Sequence, residues 1–171
     1  MHVPYTTLWD SIPINAKTAF SGSDDLCLEL KLSDKSTRET LAKCQLLPEG
    51  TTVHDVLASE LIQKIQNYFQ KIRNLLPNWL NNDFSTWRIG SSTYSDRLLD
   101  GIISNWEKKR PIWILLMLSS LTEENIRLRN IPILDQFLDN AAGEMGKTVQ
   151  ALETVDDQCM PLNRLEDDDV S

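Results

Sequence analysis

The chain has 171 residues, with 17 Lys+Arg against 25 Asp+Glu and a formal net charge of -8. That length and a hydrophobic share of 41% fit one ordinary domain, or one domain with a small satellite. They exclude a membrane protein, a disordered chain and a disulfide scaffold, and the acidic balance argues against phosphate attraction as the main activity.

In chain order, Met1 to Tyr5 is not a basic segment leading into a long apolar run, so no secretory signal is expected. Leu26, Leu28, Leu30 and Leu32 alternate with Glu29 and Lys31, which predicts a half-buried strand. Gly22-Ser23-Asp24-Asp25 is turn chemistry, so Ile14 to Phe20 is the expected hairpin partner. Ser33 can cap a short helix from Asp34 to Leu46, and Pro48-Glu49-Gly50 breaks the chain.

From Thr51 the period becomes helical. Thr52 and Asp55 form a capping-box pattern with Asp in the Glu place. Val53, Val56, Leu57, Leu61, Ile65, Phe69, Ile72 and Leu76 make one apolar stripe, stopped at Pro77. A linker follows through Asn81-Asn82-Asp83 and Gly90-Ser91-Ser92. The next helix runs from Ser95 to Lys109 and turns Leu98, Leu99, Ile102, Ile103 and Trp106 inward. Pro111 opens an apolar helix that is too short to span a bilayer and is expected to be a buried core helix. Thr122 caps another, with Glu123 and Glu124 favourable at its start. A last helix carries Ile133, Leu134, Phe137, Leu138 and Ala141 and extends toward Leu152. The expected fold is mainly α, with a small N-terminal β-containing module (1–50) and an antiparallel, bundle-like helical domain (51–152).

The charge is uneven. Residues 64–110 carry eight basic and four acidic groups, net +4, whereas residues 153–171 carry one and seven, net -6. The latter segment is expected to be a disordered, acidic tail. It serves solubility or, through Met160, Leu162 and Leu165, docking. Three widely spaced cysteines, Cys27, Cys44 and Cys159, fit free thiols in a reducing, nuclear or cytosolic compartment.

No local catalytic signature is present. His2 lies at the start and His54 in the first turn of a helix, where a surface position is usual. Two His and three scattered Cys do not make a zinc set, and His-Glu-x-x-His, a phosphate loop and Gly-x-Ser-x-Gly are missing. No catalytic residue, metal or cofactor is therefore expected. Trp106 and Trp113 match core periods, while Trp79 and Trp87 either plug the core from the linker or form an apolar interface patch; with Leu162 and Leu165 of the tail they are the candidate interface residues. Lys71, Arg73, Lys108, Lys109 and Arg110 are the candidate basic surface.

Three runs also resemble a known family. Lys43-Cys44-Gln45-Leu46-Leu47-Pro48-Glu49 resembles a domain-junction run, Leu98-Leu99-Asp100 leading to Glu107-Lys108-Lys109-Arg110 a helix with a basic end, and Leu118-Ser119-Ser120-Leu121-Thr122 a helix-opening segment, of a GINS replication-complex subunit. The resemblance is to the subunit type whose small β-rich domain comes first. It implies a non-catalytic nuclear scaffold that packs on other subunits.

The expectation is therefore a non-enzymatic subunit or adaptor of a hetero-oligomer, with nucleic acid only an indirect partner and no membrane. Two alternatives stand beside it. One is a nucleic-acid-binding accessory protein using residues 64–110. The other is a small enzyme whose site is dispersed along the sequence.

Overall fold

A computed structural model describes residues 12–80, 91–129 and 134–169. The chain is mainly helical, with nine α-helices among the described residues and one two-stranded parallel sheet. The elements are α1 (Ile14–Gly22), β1 (Asp25–Leu28), α2 (Lys35–Cys44), α3 (Val53–Val56), α4 (Ser59–Leu80), α5 (Ser91–Ile102), α6 (Pro111–Ser120), α7 (Glu123–Leu128), α8 (Leu134–Glu144), β2 (Thr148–Ala151) and α9 (Val155–Asp169). No helix among the described residues is long and apolar enough to cross a membrane.

Two compact units are present. One combines the chain up to Cys44 with Leu128–Arg164, and the other is Gln45–Arg127 with the end of α9 from Leu165.

In the first unit the expected hairpin is absent. Ile14 to Phe20 lies in α1, behind Pro13, because Ala16, Lys17 and Ala19 favour helix. The strand is shorter than expected, Asp25–Leu28, and pairs in parallel with β2 in the register Asp25↔Thr148 to Leu28↔Ala151. The helix expected to reach Leu152 stops at Glu144. Gly146 at φ +72° closes α8, and the Lys147 amide donates to Ala142 O at 2.9 Å. The chain is then free to extend through Thr148 and Val149, both β-branched. The Lys147 ammonium donates to the carbonyls of Ser21, at 3.2 Å, and Ser23, tying the end of α1 to the start of β2.

The segment expected to be a disordered tail is the helix α9. Like charge was read there as solvation, but Asp156 and Asp157 lie in the first turn, where the helix dipole favours them. Thr154 caps the helix. Its amide and hydroxyl donate to the Asp157 carboxylate at 2.8 and 2.7 Å. Val155 and Cys159, four residues apart on one face, are both buried.

Cys44 and Cys159 form a disulfide with a Cα–Cα distance of 6.3 Å. This corrects the reading of three free thiols, which sequence spacing could not test, because the partners are 115 residues apart. Cys27 is the free and exposed one.

The second unit is built around α4. Ile62, Ile65, Phe69, Ile72 and Leu76 are buried along one face. The expected stripe is shifted at its start, so that Val56 and Leu61 are exposed and Ile62 is buried. The reason is a break: α3 ends at Leu57 in extended conformation, and the helical phase restarts at Ser59. The Thr52 amide does donate to the Asp55 carboxylate, at 2.8 Å, as the capping pattern implies.

Pro77 does not stop α4, which continues to Leu80. The ring costs one backbone hydrogen bond, and the packing of Trp79 and Leu80 on the core compensates. The helix expected to reach Lys109 ends at Ile102. Asn105 then takes a left-handed conformation, φ 56°, and a single 3₁₀ turn buries Trp106 edge-on against Phe69, with ring centroids 5.3 Å apart. In α6, expected to be a buried core helix, only Ile114 is buried, and Leu115 and Leu116 face outward.

Candidate functional site

The first unit holds a depression lined by polar and apolar side chains. β1 delivers the chain to Glu29 and buries Leu30. β2 runs through Ala151 to Glu153, and α9 begins at Val155. Between them lies an open cleft of about 340 Å³, lined by Leu30, Ser36, Thr37, Thr40, Glu153, Thr154 and Asp156, among others. Buried Leu30 and Val155 contribute its apolar part, and hydroxyls and carboxylates the rest.

Beside this cleft two carboxylates share one amide. Gln158 Nε2 donates to Glu153 Oε2 at 3.2 Å and to Glu29 Oε2 at 3.5 Å. Glu153 also donates its backbone N–H to Glu29 O at 3.1 Å, so the two acidic residues are tied by main chain as well. Both are exposed. Such a pair can accept protons or act as hard oxygen donors.

Two nearby acids are committed to capping. Hydrogen bonds from the Ser36 hydroxyl and the Thr37 amide and hydroxyl hold the Asp34 carboxyl below its usual range. The Thr154 hydroxyl and amide do the same for Asp157. Neither is free to serve as a base.

The residues singled out from sequence do not converge here. Trp79 is half-buried within α4, not in the linker where the sequence reading placed it, and packs on the core of the second unit. Trp87 lies outside the described residues. Leu162 is half-buried on α9 and Leu165 is exposed.

The basic residues are dispersed as well. Lys71 and Lys108 are exposed. Arg73 is paired with Asp96 at 2.9 Å and Asp100 at 2.6 Å, and those hydrogen bonds raise its already high pKa. Lys109 donates to Gln45 Oε1 at 2.7 Å, and burial pushes its ammonium down. Arg110 is half-buried, and its amide donates to Gln45 O. His54 is exposed on α3, and His2 lies outside the described residues. Glu29 was missed because strand alternation marks it only as a residue pointing away from the core. Its partners come from a segment more than 120 residues later, and no local motif joins them.

The chain matches the TraB/PrgY/gumN family over residues 1–171. It is 46% identical over 165 residues to the metalloprotease TIKI homolog of Amphimedon queenslandica, covering 96% of this chain and 32% of that one. Identity is 43% to metalloprotease TIKI2 of Xenopus tropicalis, covering 96% and 31%. It is 41% to metalloprotease TIKI1 of Homo sapiens, covering 96% and 32%. The chain thus spans about a third of the length of the curated relatives it matches. No solved structure matches it.

These similarities overturn the GINS resemblance and the non-enzymatic DNA-replication subunit drawn from it. The runs behind that resemblance are helix-start and junction signals that many helical folds use. The relatives are named as proteases, so the reading of a non-enzyme is corrected too, and the dispersed-site enzyme is the alternative that they favour. Among the described residues, however, no three His, Cys, Asp or Glu side chains gather as metal donors. Glu29 and Glu153 make only two, short of the three that a catalytic zinc site takes from protein. The described residues do not by themselves fit a metal centre.

Proposed function

This chain belongs to the TraB/PrgY/gumN family, and we propose that it forms part of a metal-dependent peptidase. The observation that carries this reading is 41–46% identity, sustained over 96% of the chain, to proteins named as metalloproteases. Within the described residues, Glu29, Glu153 and Gln158 are the part assigned to the chemistry. Gln158 bridges the two carboxylates beside an open cleft of about 340 Å³.

The Cys44–Cys159 bridge supports an oxidising compartment for this protein, in place of the nuclear or cytosolic one expected from free thiols. The antiparallel, bundle-like arrangement of the helical unit is likewise proposed, with α4 and α5 as its central pair.

The test uses the polypeptide at its natural length. It is incubated with a peptide mixture and each common divalent cation in turn, and the products are read by mass spectrometry. Cleavage that a chelator stops and one metal restores supports the reading. Intact peptides with every cation overturn it.

A further inference from the structure

The cleft of about 340 Å³ has two unlike walls, both in the first unit. Ala151, Glu153, Thr154, Val155 and Asp156 come from β2 and the start of α9, where Val155 is buried. Ser36, Thr37 and Thr40 come from α2.

On its own, α2 is a weak wall. Helices draw most of their stability from an apolar face packed on neighbours, and isolated ones shorter than about 12–15 residues are marginal in water. This helix has ten residues and buries none of them. Thr37, Leu41 and Cys44, on one face, are only half-buried. The bonds at its start are local. Asp34 accepts from Ser36 and Thr37, and the Arg38 guanidinium donates to Leu32 O at 2.7 Å and Ser33 O at 2.8 Å. They shape the first turn without tying it to α9.

Long-range ties lie at its end. Cys44 is bonded to Cys159, 115 residues away, and its carbonyl accepts from Asn163 Nδ2 at 3.1 Å. Thr37, Thr40 and Cys44 follow at helical steps of three and four, so they share one face of α2. Val155 and Cys159 share one face of α9 in the same way. The bridge thus joins the cleft-lining face of one helix to that of the other.

We propose that the Cys44–Cys159 disulfide is a redox-sensitive clasp that holds α2 in place as a wall of the cleft, which makes both cysteines positioning residues for the cleft. Reduction by a dithiol breaks the Sγ–Sγ bond. The two sulfurs take up two electrons and two protons, and the dithiol becomes its own disulfide. The helix then loses its covalent tie and buries too little to keep its place. Only the use of the cleft for peptides rests on the peptidase reading; the clasp does not.

Amide hydrogen exchange on the natural-length polypeptide tests it, with and without dithiol, below the melting temperature of the reduced form. Alkylation located at Cys44 and Cys159 by mass spectrometry shows that the bridge is open. On reduction, the amides from Glu39 to Cys44 should exchange about a hundredfold or more faster, while those from Leu138 to Glu144 in α8 stay within about threefold. Unchanged α2 exchange with both cysteines alkylated means that other contacts hold the wall, and overturns the proposal. Equal acceleration in α2 and α8 makes the bridge a staple of the whole unit, and overturns it too. For kinetics, the Cys44→Ser, Cys159→Ser variant replaces the dithiol, which would compete for a metal ion. Its KM should rise about tenfold with kcat within about twofold, the mark of lost binding. Release of α2 with KM unchanged overturns the proposal as well. Absence of cleavage with the bridge closed or open would sink the peptidase reading, and the amides would still decide the clasp.

Discussion

Cys44, the last residue of α2, and Cys159, inside α9, are joined by a disulfide, and Asn163 one turn further along α9 donates to the Cys44 carbonyl at 3.1 Å. Covalent and hydrogen bonds thus fasten the acidic C-terminal helix to the N-terminal part of the chain.

Removing this bridge is expected to be costly. Closing a loop of this length restricts the unfolded chain by about 5 kcal/mol in the entropy model. The double variant Cys44→Ala, Cys159→Ala should therefore melt well below the native protein. Addition of a thiol reductant should lower the native melting temperature and leave the variant's unchanged. An unchanged native value would mean that the bridge does not form in solution.

The peptidase reading predicts that Glu29→Gln, made in the natural-length polypeptide, lowers peptide cleavage by about a hundredfold or more while thermal stability is kept. Glu29 is exposed, so its loss leaves no buried defect. Gln158→Leu should reduce cleavage less, because it frees the two carboxylates without removing either. Steady-state kinetics beside thermal melts separate these effects.

Arg73 clamps α4 to α5 through Asp96 and Asp100. Its acceptors are 46% and 61% exposed, so solvent screens the pair. Arg73→Ala should cost about 1 kcal/mol, and less at high salt. Urea denaturation at two ionic strengths checks both statements.

Acid should loosen the start of α9. The folded-state pKa of Asp157 is lowered by its hydrogen bonds to Thr154, whereas the unfolded value is about 3.9. A depressed carboxylate stabilises the fold above the unfolded value, and that contribution is lost as pH falls through the lower, folded one. Asp157→Asn should therefore flatten the acid limb of the stability profile below about pH 4 and have its largest effect at neutral pH. Chemical denaturation across pH 2–7 measures it.

Gly146 closes α8 at φ +72°, and a Cβ there would meet nothing within 4 Å. The cost of Gly146→Ala is thus backbone strain alone, about 1–2 kcal/mol. Gly146→Asn should cost less, since Asn tolerates this conformation. The midpoints of denaturant unfolding decide it.

Local order was legible along the sequence. The α4 stripe from Ile65 to Leu76, the Thr52–Asp55 cap and the Pro111 helix start all follow from contacts within four residues, which periodicity and capping chemistry encode. The site was not. Glu29 and Glu153 read as separate solvated acids until the fold brings both to Gln158, and the acidity of residues 153–171 concealed a capped helix.

What the sequence determined by itself is the helical character of most of the chain and the buried face of α4 from Ile65 to Leu76. Only the tertiary structure decided the rest: that β1 pairs with a strand 123 residues away, that Cys44 meets Cys159, and that two glutamates share one amide. The reason is range. Helix periods and caps are energies between near neighbours, whereas strand pairing, disulfides and sites are made between segments whose approach no local pattern records.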